Sequence, residues 1–90
     1  MDKLQLWNKV LEIIRKEISE KAFTTWFKNT GIKSLTDDEI VIYATNDFAA
    51  DWVRKNYSQL IGRSSSAILN KEMKISITSK SSEEAESTIN

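Results

Sequence analysis

Apolar side chains recur at three- and four-residue spacing over the first eighteen positions: Leu4, Trp7, Val10 or Leu11, Ile14 and Ile18. That period predicts an amphipathic helix. Leu6 and Ile13 flank the stripe and widen it, while Lys3, Lys9, Arg15 and Lys16 lie off it. Asp2 is the expected N-cap, and its carboxylate suits the positive end of a helix dipole. Ser19 interrupts the pattern and is the expected cap of a second helix over 20–28, with Ala22, Phe23, Trp26 and Phe27 as its apolar set. Asn29, Thr30 and Gly31 end it, Gly31 being suited to a left-handed C-terminal conformation.

The period then changes to two. Residues 32–36 read as a weak strand, Asp37 and Asp38 as a turn, and 39–45 as a strong strand. Ile40, Ile42 and Ala44 share one face of that strand, Val41 and Tyr43 the other, so it is expected at the centre of a sheet. Asn46 follows as the N-cap of a long helix carrying Trp52, Val53, Asn56 or Tyr57, Leu60, Ile61, Ser64 and Ile68. Gly62 costs such a helix roughly 1 kcal/mol relative to Ala, and with the serines at 64–66 it predicts a bend or an early end. Met73, Ile75 and Ile77 alternate with Lys74, Ser76 and Thr78, the pattern of a half-buried edge strand. From 79 to 90 the pattern disappears into a polar, acidic stretch that reads as a flexible linker. The order is α-α-β-β-α-β, an α+β domain over 1–78 with helices packed on a three-stranded sheet.

Ninety residues suffice for one small domain. The chain contains neither cysteine nor histidine. Disulfides, thiolate metal sites and the commonest general base are therefore excluded. Its formal charge is zero but uneven. Residues 1–78 hold twelve Lys or Arg against ten Asp or Glu, and 79–90 hold one Lys against three Glu. A folded part so mildly basic does not bind nucleic acid strongly by charge alone. No apolar run approaches a membrane span, and the N-terminus lacks the order of a signal peptide, which reads as a cytoplasmic protein.

Candidate chemistry is sparse. Asp37, Asp38 and Glu39 sit at a hairpin turn, where aspartates bond their own backbone. No glycine-rich phosphate loop exists, and no cofactor is expected. The element order is similar to the KH architecture, but Gly31 and Gly62 lie too far apart to form its GXXG clamp. Arg54 and Lys55 are the candidates for weak, sequence-tolerant contact with a single strand. Phe23, Trp26, Phe27, Tyr43, Trp52 and Tyr57 occupy apolar-face positions and are assigned to the core. Phe48, in the first turn after a cap, and Trp7, beside Leu6, are each either core or interface aromatics.

Leu6-Trp7, Phe23-x-x-Trp26, Ile40-x-Ile42-Tyr43-Ala44 and Asn46-x-Phe48-x-x-Asp51-Trp52-Val53-x-x-x-Tyr57 occur in an order that resembles the N-terminal domain of the DnaA family of bacterial replication initiators. The resemblance covers residues 1 to 78. It implies a KH-like α+β fold without enzyme activity or cofactor, since ATP binding and origin-DNA binding belong to later domains of that family. It implies recruitment of the replicative helicase, contact with DnaA regulators, weak self-association with other DnaA protomers, and weak single-stranded DNA binding. Leu6 and Trp7 match positions linked to self-association. Phe48 matches the aromatic linked to helicase and regulator contact, with Asn46 and Ala49 on the same edge. Where some members have a glutamate before the second-helix Phe, this chain has Ala22, with Glu20 nearby as a substitute. Residues 79–90 match the start of the family's flexible linker.

Overall fold

The computed structural model describes residues 2–80. Six elements follow in the expected order: α1 (Lys3–Glu17), α2 (Glu20–Phe27), β1 (Gly31–Leu35), β2 (Glu39–Ala44), α3 (Asp47–Leu69) and β3 (Lys74–Ser79). The sheet order is β1-β2-β3. β1 runs antiparallel to β2 and β3 parallel to it. A parallel pair cannot be closed by a hairpin, and α3 is the crossover that joins β2 to β3.

Each helix start is held by the residue expected to cap it. Asp2 accepts from the backbone N–H of Gln5 at 2.8 Å, Ser19 from Ala22 at 3.1 Å, and Asn46 from Ala49 at 2.8 Å. Such a bond satisfies one of the four N–H groups that a helix start leaves without partners. Ile18 and Ser19 alone separate α1 from α2.

Alternation along β2 decides the layers. Ile40, Ile42 and Ala44 face the helices and are buried, whereas Glu39, Val41 and Tyr43 lie on the outer face and are half-buried. The register carries this division across the sheet, aligning Ile32 and Ile77 with Ile42. Against the inner face α1 packs Leu6, Val10 and Ile14, α2 adds Phe27, and α3 adds Ala50, Val53 and Ile61. Among the described residues, helices therefore cover one face only, and the central strand borders half-exposed surface on the other.

Three expectations need correction. α3 neither bends nor ends at Gly62 but continues for 23 residues to Leu69. Ser64 and Ser65 are buried and donate to the Leu60 and Ile61 carbonyls at 2.8 Å each, so their hydroxyls are satisfied within the helix. Gly31 does not take a left-handed conformation. It opens β1, and the Tyr43 ring lies across it; a Cβ there would stand 2.5 Å from the phenolic oxygen. Asn70, with φ 59°, is the left-handed residue, and it closes α3. Finally, Ser79 belongs to β3 and is buried, its hydroxyl bonded to the Asp47 carboxylate at the start of α3. Of the rest of the linker expected over 79–90, Lys80 is exposed and 81–90 lie outside the described residues.

Candidate functional site

The first turn of α3 leaves the sheet directly after Ala44, with Asn46 as cap and Asp47 beside the positive end of the helix. Phe48 is 70% exposed. An aromatic ring in that position is costly to leave in water unless something covers it. Trp52, one turn later, is 41% exposed. Its assignment to the core is corrected here. Consecutive helical residues are rotated by about 100°, so a helix with Ala49, Ala50 and Val53 inward leaves position 52 at the rim.

Trp26 of α2 completes the site. Its ring stacks on Trp52 with centroids 5.0 Å apart and planes at 16°, and it meets Phe48 at 5.9 Å and 48°. Both separations lie in the range of favourable aromatic contact. Three rings from two helices thus form one half-open surface. Trp26 is half-buried, and its lower side packs on the core. Ala22, half-buried, precedes Trp26 by four residues and lies on the same side of α2.

The remaining candidates sort plainly. Asn46 is exposed, but its side-chain oxygen is committed to the cap. Ala49 is turned inward at 8% exposure, so the displayed turn consists of Asn46, Asp47 and Phe48. Glu20 is exposed and stands 4.0 Å from Arg15, a solvated pair of little energetic weight. Leu6 and Trp7 are core, at 0% and 3% exposure. The Trp7 indole N–H donates to the Thr30 hydroxyl at 3.2 Å, which in turn donates to the Phe27 carbonyl at 2.7 Å, tying α1 to the end of α2.

Arg54 and Lys55 do not form an open basic patch. Asp51 lies 3.3 Å from one and 3.1 Å from the other. The second terminal nitrogen of Arg54 donates to the Ile77 carbonyl at 2.7 Å, fastening α3 to the edge of β3. One carboxylate between two cations, one of them also engaged with backbone, leaves little charge for a phosphate chain. At the hairpin, the Thr36 hydroxyl and the Glu39 backbone close the turn around Asp37 and Asp38.

The surface is thus a cluster of three rings on a capped helix start. The family model of the DnaA N-terminal domain matches residues 5–67. The chain belongs to the DnaA N-terminal domain family. The match spans α1 to near the end of α3 and includes all three rings of the surface. A DnaA N-terminal domain is a non-catalytic module of a replication initiator. Among the described residues no helix is long and apolar enough to cross a membrane.

Proposed function

We propose that this domain docks the replicative helicase and DnaA regulators through the surface formed by Trp26, Phe48 and Trp52, with Asn46 and Ala22 at its margin. The observation that carries the reading is the exposure of Phe48 and Trp52 on a rigid, capped helix, stacked against a third ring. Aromatic side chains that are already ordered lose little entropy on binding, which is why they dominate interface energetics. A patch of three rings gives a weak single contact. Several initiators side by side on one origin would raise its effective strength by avidity.

Self-association with other DnaA protomers fits the first helix. Because Leu6 and Trp7 are buried, they would act by holding the first turn of α1 in place, with Leu4 as its exposed apolar residue. Glu20 opens α2 and stands 4.0 Å from Arg15 of α1, on a different side of the helix from Ala22 and Trp26, so in this reading it would contribute a charged contact apart from the three rings.

Phe48→Ala tests the docking reading. The variant is expected to weaken helicase binding about tenfold or more while the unfolding free energy stays within about 1 kcal/mol of the parent, as at an exposed site. Unchanged affinity, or a collapse of stability, would overturn it. A short single strand titrated at two salt concentrations is expected to bind weakly or not at all. Tight binding with a steep salt slope would favour a nucleic-acid module instead.

A further inference from the structure

β3 is an outer strand, and among the described residues no strand lies against its far edge. Two hydrogen bonds show which of its backbone groups point there. The Lys74 N–H donates to the Asp38 carbonyl at 2.8 Å, toward β2, whereas the Ile77 carbonyl accepts from the Arg54 guanidinium at 2.7 Å, away from β2. Successive residues of a strand turn their backbone groups to opposite edges, so Ile75 and Ile77 both face the open side. Arg54 covers the Ile77 carbonyl only. The Ile75 N–H and C=O and the Ile77 N–H are a template for a further strand.

A shallow groove runs between this edge and α3. Gln59, Gly62, Arg63 and Ser66 line its helix side, Glu72 and Met73 its strand side. Spacings of three and four residues set Gln59, Gly62 and Ser66 on one flank of α3. Gly62 deepens the trough, because a Cβ there would meet only Ile75, at 3.7 Å. The groove thus combines a backbone edge, an apolar floor of Met73 and Ile75, and a helix wall. In such a cleft an extended peptide is held by main-chain bonds while alternate side chains enter the groove.

Charge selects the occupant. Arg63, Lys71 and Lys74 are exposed around the groove against one carboxylate, Glu72, and among the described residues none of the three cations is in an ion pair. Lys74 lies on the outer face of the sheet, where its neighbour Glu39 accepts from the Ser76 hydroxyl at 2.6 Å. A strand added here turns every second side chain toward the groove and the others toward the Lys74 side. A phosphate backbone offers no donor for the Ile75 carbonyl, whereas a peptide offers one at every second residue. A second copy of β3 would bring its own Lys74 to an edge already rich in cations. We propose that an extended segment of a partner protein, apolar and acidic at alternate positions, adds to the β3 edge, with its apolar side chains in the groove and its carboxylates toward Lys74 and Arg63. This inference rests neither on the three aromatic rings nor on the helicase reading.

The probe is a blocked synthetic peptide as long as β3, six residues, alternating valine and glutamate. Titrated into the isotope-labelled 90-residue chain, it is expected to shift the amide signals of Gly62, Met73, Ile75 and Ile77 to saturation and to slow hydrogen exchange at Ile75 and Ile77. Of the two versions N-methylated at alternate nitrogens, the one that loses its donors to β3 is expected to bind about tenfold or more weakly. Lysine in place of glutamate should weaken binding too, as should the Arg63→Gln, Lys74→Gln double variant, whose two side chains are exposed. No saturable change at about 1 mM peptide, equal binding by both N-methylated versions and the parent, or shifts centred on Phe48 and Trp52 would overturn the proposal. So would larger shifts of the same amides by a short oligothymidylate, which would make the occupant nucleic acid. Self-association of the peptide-free chain through Ile75 and Ile77 would overturn it as well, since the occupant would then be a second copy.

Discussion

Tyr43 rests across the backbone of Gly31, and that contact is the reason a glycine opens β1. A methyl group there would meet the ring at 2.5–2.7 Å. Gly31→Ala is therefore expected to cost about 2 kcal/mol by overpacking. The same change in a Tyr43→Ala background is expected to cost much less; denaturant titration of the four proteins checks this, and equal costs would show that the ring is not the cause. The sequence announces a special glycine at this position, but its local context, after a helix, suggests backbone freedom rather than a ring from a partner strand. Trp52 shows a similar limit. Three- and four-residue spacing places it beside the apolar stripe equally well as within it. Only the side on which the sheet lies decides that Val53 points in and Trp52 out.

At the scale of elements, local chemistry was legible wherever it was self-contained. Asp2, Ser19 and Asn46 cap the three helices because a side-chain oxygen before an apolar run needs only the next turn's N–H groups. The alternation of β2 gave its central position, since apolar residues on both faces leave little room for an edge. The length of α3 was not legible. Gly62 and the serines look like breaks, yet packing against β3 and hydroxyl bonds to preceding carbonyls carry the helix through. A Cβ at Gly62 would stand 3.7 Å from Ile75, an ordinary contact. Gly62→Ala is thus expected to raise stability by about 0.5–1 kcal/mol, read as a higher denaturation midpoint at unchanged slope. A lower midpoint would mean that α3 needs the glycine for close approach.

The aromatic surface belongs to the scale of the whole molecule. Phe48 could be singled out from sequence because a capped first turn projects from a sheet. Trp26 and Trp52 could not, because their separation of twenty-six positions becomes a 5.0 Å stack only once α2 lies against α3. The same tertiary step removes Ala49, Leu6 and Trp7 from the surface and sets Arg54 to holding β3. What remains exposed is a tripartite aromatic face, and the account rests on partners binding there. Indole N–H resonances report it most directly, since the chain has three tryptophans. On titrating the isotope-labelled domain with the replicative helicase, the Trp26 and Trp52 indole signals are expected to shift or broaden, while the Trp7 signal, held inside by Thr30, stays in place. Movement of Trp7 alone, or no change in any indole at saturating helicase, would contradict the account.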